Sequence, residues 1–143
     1  MKPIEIFLAD DDCDDRSLFL EALEDIPIAT VVTEFDNGVD LMADLLSETE
    51  LPSAIFLDLR MPLMDGFECL ADIRSISKFS NIKVIIYSTS FNAKEIDKLK
   101  EAGANQYIKK PNSFNQLKTL LFKSIKPIQS ESNNSNSDFV VLV

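Results

Sequence analysis

The chain has 143 residues, 45% hydrophobic and 27% charged, which is the composition of one ordinary globular domain. Its 14 Lys and Arg against 24 Asp and Glu give a formal net charge of −10. Such a surface repels phosphate backbones and anionic lipid, so we expect no binding to nucleic acid or to a membrane. The sequence contains no histidine, which excludes the usual catalytic triads, zinc sites that need imidazole and a role as a phosphohistidine carrier.

The cysteines and the amino terminus indicate where the protein works. Cys13 and Cys69 cannot build a disulfide framework and have no CxxC spacing, so we expect reduced thiols. The first ten residues reach an acidic cluster before a signal-peptide apolar run could develop. No apolar stretch approaches the ~18 residues of a membrane span. We therefore predict a cytoplasmic protein.

Short apolar runs alternate with segments of helical period through the first half of the chain. The predicted elements are strand Ile4–Ala9, helix Asp14–Ile26, strand Thr30–Phe35, a helix capped by Asn37 and ending at Leu46, and strand Ala54–Leu57. The helical spacing predicts that Leu18, Val39 and Leu46 face inward with their apolar neighbours. The fully apolar AIFL is typical of a central strand, whereas the half-polar TVVTEF suits an edge strand.

The second half repeats the alternation. Its predicted elements are a third helix after the Asp65-Gly66 turn, strand Lys83–Tyr87, a polar helix Asn92–Ala102 that ends at Gly103, strand Gln106–Ile108 and helix Ser113–Ile125. Five strand-helix units predict an α/β fold with a doubly wound parallel sheet. The functional site of such a sheet lies at the carboxyl ends of its strands.

The composition changes after Pro127. The segment Gln129–Asp138 is polar and of low complexity, which predicts disorder. The last five residues, Phe139–Val143, are apolar and prone to form a strand. We therefore predict a domain over residues 1–126 and a tail over 127–143. An unattached tail is the favoured interpretation, and the sharper hypothesis is that its end adds a strand to an exposed sheet edge or docks on a partner.

Polar residues follow the predicted strands where each of them ends. These residues are Asp10, Asp11 and Asp12 after the first strand, Asp58 after the third, Ser88 and Thr89 after the fourth, and Lys110 after the fifth. In a parallel sheet these ends share one edge, so the side chains converge. Clustered carboxylates repel unless a cation neutralises them, and oxygen ligands alone suit Mg²⁺. A nearby lysine and hydroxyl supply what a transferring phosphoryl group needs.

These residues resemble a known family. The motifs are the pair Asp10-Asp11, the stretch DLRMPLMDG from Asp58 to Gly66, Ser88-Thr89-Ser90, and Lys110-Pro111. In this order and spacing they resemble the receiver domain of two-component response regulators, over roughly Lys2 to Lys126. More loosely, Tyr87–Ser90 looks like the small stand-alone regulators that partner phytochrome-type kinases. The resemblance implies a flavodoxin-like (βα)5 fold with five parallel strands in the order 2-1-3-4-5.

The resemblance implies that Asp58 is the phosphoacceptor, whose carboxylate attacks the phosphohistidine of a partner kinase. It implies that Asp10, Asp11, the Asp58 carboxylate and the backbone carbonyl of Arg60 hold Mg²⁺. The resemblance also implies that the protein acts mainly as a signalling switch and has only weak self-phosphorylation and autodephosphorylation activity.

The remaining site residues are assigned by the same resemblance. Lys110 pairs with the phosphoryl group, and its bond to Pro111 is expected to be cis. Ser88 moves to hydrogen-bond a phosphoryl oxygen, and Tyr107 follows inward and remodels the surface of the fourth helix and fifth strand. The residues alone leave Tyr107 equally open to being a plain packed aromatic, and Ser88 to being an ordinary hydroxyl. Asp12 departs from the usual residue after the acid pair and makes the mouth of the site more negative.

The expected partners are a histidine kinase or a phosphotransfer protein that supplies the phosphoryl group, and a downstream protein target. The length predicts a stand-alone relay, as a monomer or a homodimer. A non-enzymatic alternative is a receiver fold that binds its partner constitutively, without phosphorylation. Retention of the phosphorylation residues argues against that alternative.

The same acidic residues allow two other interpretations, a calcium-binding loop and a phosphatase site. Asp10, Asp12, Asp14 and Glu21 fall at ligand positions of a calcium loop, but Asp15 stands where that loop needs glycine and a strand-like segment precedes it. A haloacid-dehalogenase-type phosphatase needs Thr or Val at position 14, where this chain has aspartate, and it needs room for a cap domain. Both interpretations are therefore disfavoured.

Overall fold

Five parallel strands form the centre of the computed structural model, which describes residues 2–47, 50–130 and 138–143. They are β1 (Ile4–Ala9), β2 (Thr30–Phe35), β3 (Ala54–Leu57), β4 (Lys83–Ser88) and β5 (Gln106–Lys109). Their order in the sheet is β2-β1-β3-β4-β5. This order confirms the predicted doubly wound, flavodoxin-like fold, with the half-polar β2 at one edge.

Helices cover both faces of the sheet. They are α1 (Cys13–Glu24), α2 (Gly38–Leu46), α3 (Gly66–Ser75), α4 (Ala93–Glu101) and α5 (Phe114–Gln129), with a short 3-10 helix over Ser77–Phe79. Phe19 of α1 and Leu121 of α5 pack in one apolar cluster, and Leu41, Leu70 and Leu99 of α2, α3 and α4 pack in another. The side chains of β1 alternate between these two clusters, as expected for a strand buried on both faces.

Four of the five predicted helix starts are confirmed by their caps. The side chains of Asn37, Asp65, Asn92 and Ser113 each accept a hydrogen bond from a backbone N–H in the first turn of the helix that follows. Gly103, two residues after α4, has a φ of 104°, which is the left-handed conformation that ends many helices.

Three predicted inward-facing side chains point to solvent instead. Leu18 and Val39 are each 46% exposed, and Leu46 is 58% exposed. The sheet-facing stripes of α1 and α2 are filled by neighbouring residues such as Phe19 and Leu45. Each residue turns a helix by about 100°, so a side chain one position away from the stripe points off it.

The fifth helix continues one turn past the predicted end at Ile125. It runs to Gln129, with Pro127 inside its last turn, and the Ser130 N–H donates to the Lys126 carbonyl at 3.1 Å. A proline in the last turn removes one backbone N–H donor, but the helix still reaches Gln129 because only two helical residues follow the proline. Gln129 is therefore helical. The rest of the segment predicted to be disordered falls largely on residues 131–137, which lie outside the described residues.

Within the described ranges, no helix is long and apolar enough to cross a membrane.

The Arg74 side chain ties α3 to the loops that precede β4 and β5. Its guanidinium donates to the backbone carbonyls of Gly103 at 2.8 Å, Ile82 at 2.8 Å and Phe79 at 3.1 Å, and to Asn105 Oδ1 at 2.8 Å. Burial lowers the pKa of Arg74. One side chain therefore donates to four acceptors, which lie in the segment between α3 and β4 and in the segment between α4 and β5.

We expect Arg74→Ala to lower the free energy of unfolding by about 2 kcal/mol, because partly buried carbonyls lose a charged donor. Urea denaturation measures this value. Arg74→Lys should recover less than half of it, since one ammonium cannot reach the same fork of acceptors. An Arg74→Ala protein within about 0.5 kcal/mol of the wild type, the range of a neutral surface change, would contradict this role.

Candidate functional site

The candidate site lies at the carboxyl edge of the sheet, where β1 and β3 end side by side. Ala9 and Leu57 are register partners at the ends of these strands, and the Asp58 N–H donates to the Ala9 carbonyl at 2.9 Å. Asp10 and Asp58 are the next residues of their chains. The parallel register therefore brings together two carboxylates that are 48 positions apart in the sequence.

Three carboxylates converge at this edge. One oxygen from each of Asp10, Asp11 and Asp58 lies within 4.8 Å of the others. Asp10 is fully buried and Asp58 is 7% exposed, while Asp11 is exposed. Clustered, partly desolvated oxygen ligands of this kind suit a hard divalent cation such as Mg²⁺ or Mn²⁺. The donor set therefore fits the cation that was predicted for it.

Lys110 directly follows β5, and its side chain reaches the same carboxylate cluster. Its backbone N–H donates to the Ser88 carbonyl at 2.8 Å. Its ammonium Nζ lies 2.7 Å from Asp10 Oδ2, 3.2 Å from Asp58 Oδ2 and 2.8 Å from Asp15 Oδ2. The side chain of Lys110 is only 9% exposed, so these charge-assisted bonds form in a site with little water.

The charges of the site do not balance. A single ammonium contacts three carboxylates, and Asp11 adds a fourth to the cluster. Burial raises the pKa of Asp10 to about 6, and the hydrogen bond from Lys110 only partly opposes this. Burial by itself lowers the pKa of Lys110, but its bonds to Asp10 and Asp15 outweigh burial and raise it. Lys110 therefore stays charged, and negative charge remains for a cation to neutralise.

The aromatic ring of Tyr87 lies next to the Lys110 ammonium. The Lys110 Nζ lies 5.2 Å from the centre of the Tyr87 ring, a distance that favours a cation–π contact. Burial raises the pKa of Tyr87. Its phenol is therefore neutral at physiological pH.

The neighbouring loop places Arg60 close to Asp58. The Arg60 N–H points to Asp58 Oδ1 at 3.4 Å, so the backbone of Arg60 lies beside the acid cluster. Its side chain instead points outward to Glu95, with 3.6 Å between Arg60 Nη2 and Glu95 Oε1. Only the main chain of Arg60 is therefore available to the site.

The side chain of Asp12 caps α1, whereas those of Asp10 and Asp11 belong to the carboxylate cluster. Its carboxylate accepts hydrogen bonds from the N–H groups of Asp14 at 2.9 Å and Asp15 at 3.2 Å. It is the N-cap of α1 and stabilises the start of that helix. The departure from the usual residue thus has a local structural use.

Ser88 and Tyr107 are connected through Ser90. The Ser88 Oγ, at the end of β4, lies 3.0 Å from Ser90 Oγ, and Ser88 is 1% exposed. The Tyr107 hydroxyl donates to the Ser90 carbonyl, and Tyr107 is fully buried. Tyr107 itself therefore already occupies, in this structure, the inward position that the resemblance implies for it.

The cis bond expected at Lys110-Pro111 is not observed, since the described residues contain no cis peptide bond. With a trans bond, the backbone contact of Lys110 to Ser88 still holds its side chain over the acids. The expectation of a cis bond was wrong.

The sequence interpretation missed Asp15 as a partner of Lys110. Asp14 and Asp15 both stand in the first turn of α1, where acids stabilise the helix dipole and need no further reason. Only the direction in which the helix leaves β1 decides that Asp15, not Asp14, faces Lys110. That direction is set by packing.

Comparison with known proteins agrees with this geometry. A family model described as response regulator receiver domain matches residues 6–122. Response regulator Rcp1 of Synechocystis is 30% identical over 133 residues, which cover 90% of this chain and 88% of that protein. Sensor histidine kinase CheAY of Helicobacter pylori is 30% identical over 121 residues; this covers 85% of the chain but only 15% of the kinase.

Solved structures show the same fold. The phosphorylated cyanobacterial phytochrome response regulator RcpA superposes with a TM-score of 0.83 and 30% identity, covering 92% of this chain and 98% of that one. The Mn²⁺-bound form of Rcp1 gives 0.78 and 26%, covering 94% and 100%. With the family model matched over most of the chain and the acids, lysine and hydroxyl gathered at one sheet edge, the protein belongs to the receiver domains of two-component response regulators.

Proposed function

We propose that this protein is a single-domain response regulator that accepts a phosphoryl group on Asp58 in an Mg²⁺-dependent reaction and thereby switches a protein-binding surface. The observation that carries the proposal is the placement of Asp58. Its carboxylate is almost buried, shares a cluster with Asp10 and Asp11, and lies 3.2 Å from the Lys110 ammonium. A carboxylate in this setting has neighbours to hold a cation and to neutralise an incoming phosphoryl group.

The transfer forms one bond and breaks another. A carboxylate oxygen of Asp58 attacks the phosphorus of the donor and forms the O–P bond of an aspartyl phosphate. With a phosphohistidine donor the P–N bond breaks, and its electron pair returns to the imidazole nitrogen. With acetyl phosphate the P–O bond breaks and acetate leaves. Lys110 would neutralise the phosphoryl oxygens, and the Ser88 hydroxyl would donate a hydrogen bond to one of them.

Asp10, Asp11, Asp58 and the backbone carbonyl of Arg60 would hold Mg²⁺. When bound, the ion supplies charge neutralisation for the phosphoryl oxygens. The donor chemistry supports this set, since it consists of oxygen atoms and retains excess negative charge after the contacts of Lys110. The similarity to Rcp1, whose structure was solved with Mn²⁺, also supports it.

The partners follow from the relatives. A histidine kinase or a phosphotransfer protein would supply the phosphoryl group, and the similarity to the phytochrome response regulator RcpA points to a sensor of that class. The signal would leave by contact with a downstream protein, not with nucleic acid or membrane, from a monomer or a homodimer. We place this exchange in the cytoplasm, where the free thiols of Cys13 and Cys69 stay reduced.

The direct test uses beryllofluoride, a mimic of the phosphoryl group, and acetyl phosphate. We expect either reagent to modify the wild type in the presence of Mg²⁺, to fail with Asp58→Asn, and to fail after EDTA is added. Asp36→Asn is the matched control, because Asp36 directly follows β2 as Asp58 follows β3 but has its carboxylate bonded to Asn37. It should react like the wild type.

NMR spectra of the amide groups follow both reagents. A wild type that stays unmodified, or an Asp58→Asn variant that responds in full, would contradict the assignment of Asp58. A protein that binds its partner equally well with and without modification would instead support the constitutive adaptor.

A further inference from the structure

A short segment lies along the free edge of β5, outside the five-stranded sheet, and pairs with it through one isolated β-bridge. Residues Phe139–Val141 form it, and we call this segment the C-terminal strand. The Tyr107 N–H donates to the Phe139 carbonyl at 2.8 Å, and the Val141 N–H donates to the Tyr107 carbonyl at 2.9 Å. Tyr107 and Val140 are partners in a parallel bridge. The chain therefore covers part of its own sheet edge, as one of the two sequence hypotheses described.

The side chains of the C-terminal strand pack on both faces of the sheet. Phe139 and Val140 lie against the cluster beneath α2, α3 and α4, whereas Val141 lies against the cluster beneath α1 and α5. Val140 and Val141 thus face opposite sides of the sheet, as neighbouring residues of an extended segment do, whereas Phe139 shares the side of Val140.

Two lysines hold the segment from the neighbouring helices. The Lys100 Nζ of α4 lies 6.0 Å from the centre of the Phe139 ring. The Lys123 Nζ of α5 donates to the Leu142 carbonyl at 2.8 Å. The C-terminal strand therefore bridges α4 and α5 across β5.

We propose that the β5 edge is a strand-acceptor surface, that its occupant is the C-terminal strand of the same chain, and that docking is coupled to the phosphoryl state of Asp58 through Tyr107. The coupling rests on the proposed function, whereas the docking does not. Both backbone hydrogen bonds of the docked strand are made by Tyr107, the residue whose hydroxyl reaches Ser90.

The contacts define the route of the coupling. Ser88 Oγ lies 3.0 Å from Ser90 Oγ, and the Ser90 carbonyl accepts from Tyr107. A phosphoryl group on Asp58 would draw the Ser88 hydroxyl away from Ser90 and shift the Ser90 segment toward the site, which holds Tyr107 in its inward position through the bond to the Ser90 carbonyl. Docking uses the same inward Tyr107, because its buried ring belongs to the apolar cluster on which Phe139 and Val140 pack. The two events therefore favour one conformation and stabilise each other.

The docked strand is held weakly enough to be released. It is attached to β5 by two backbone hydrogen bonds, and Phe139, Val140 and Val141 remain partly exposed. Short elements with few buried contacts open at low free-energy cost. A shift in occupancy upon modification of Asp58 is therefore measurable.

Two proline variants, one residue apart, form the test. Val141→Pro removes the N–H that binds the Tyr107 carbonyl. Leu142→Pro makes the same backbone change at a residue whose N–H has no backbone acceptor among the described residues, and proline keeps the carbonyl that Lys123 binds. Val141 is only partly buried against its cluster and Leu142 is exposed, so both variants should fold.

The first readout is hydrogen exchange of the Tyr107 amide without any phosphoryl mimic. We expect slow exchange in the wild type and in Leu142→Pro, and at least about fivefold faster exchange in Val141→Pro. Equally fast exchange in the wild type and Val141→Pro would overturn the docking of the C-terminal strand.

The second readout is the affinity for beryllofluoride in the presence of Mg²⁺. We expect Val141→Pro to bind it about fivefold more weakly, the lower end of typical coupling between sites, and Leu142→Pro to bind like the wild type. Beryllofluoride should in turn slow the Tyr107 exchange in the wild type. Unchanged affinity in Val141→Pro would overturn the coupling alone. Failure of beryllofluoride to bind the wild type would contradict the proposed function and the coupling, and docking would still be judged by the first readout.

Discussion

Lys110→Ala is expected to slow phosphoryl transfer from acetyl phosphate by about a hundredfold or more while Mg²⁺ still binds. The Lys110 ammonium lies 3.2 Å from Asp58 Oδ2 and is the positively charged side chain that contacts the carboxylate cluster. Removing one positioned group that stabilises developing negative charge typically costs two to three orders of magnitude in rate, which is about 3–4 kcal/mol. The proposed metal ligands remain. Single-turnover kinetics and Mg²⁺ titration measure the two properties separately.

The same substitution should make folding more dependent on Mg²⁺. Without Lys110, the buried Asp10 and nearly buried Asp58 face each other with no positive side chain between them. Removing one partner of a buried charge pair costs about 3 kcal/mol or more. We expect the free energy of unfolding to fall by that amount in EDTA and to recover partly in Mg²⁺.

Lys109→Ala is the matched control for both measurements. Lys109 is exposed and its ammonium lies 5.8 Å from the Phe91 ring centre, away from the acid cluster. It should transfer phosphoryl groups at the wild-type rate. A Lys110→Ala protein that keeps the wild-type rate would show that the lysine is only structural.

Gly66→Ala is expected to damage the site from outside it. A Cβ at Gly66 would lie 2.3 Å from the Asp58 carbonyl oxygen and 2.8 Å from Leu59 Cα. Both are backbone atoms, so the loop that carries Asp58 must move. Overpacking of this kind costs about 1–3 kcal/mol, and shifts of this size also weaken a metal site that needs nearly octahedral geometry. We expect lower stability and at least about tenfold weaker Mg²⁺ binding.

Gly38→Ala separates the two effects. Its Cβ would lie 2.1 Å from the Met64 carbonyl oxygen and 2.6 Å from Cys69 Sγ, a comparable overlap that does not involve Asp58. We expect a similar loss of stability with a smaller loss of Mg²⁺ affinity, measured by urea denaturation and calorimetry. Equal Mg²⁺ affinity in Gly66→Ala and the wild type would contradict the link between this glycine and the site.

The sheet could be predicted from the sequence because its signals are local. Buried parallel strands such as Ala54–Leu57 are continuous apolar runs, and their bounds were predicted correctly. Helix faces were predicted less well. Leu18 and Leu46 stand beside the buried stripes of α1 and α2, and apolar spacing alone does not show which of two adjacent side chains the sheet covers.

The placement of the candidate site followed from the same logic. Asp10, Asp58 and Lys110 were recognised because each follows a strand, and parallel topology brings those ends together. Asp15 was missed because the angle between β1 and α1 is a property of packing. The docking of Phe139–Val141 could be raised from its apolar composition, but the choice of β5 as its partner requires the structure.

Mapping the modified residue shows whether Asp58 receives the phosphoryl group. After incubation with acetyl phosphate and Mg²⁺, borohydride reduces an aspartyl phosphate to homoserine, which peptide mass spectrometry locates. We expect homoserine at position 58, and none when EDTA is present or in Asp58→Asn. An unmodified position 58, or homoserine at Asp10 or Asp11 instead, would contradict the assignment of Asp58.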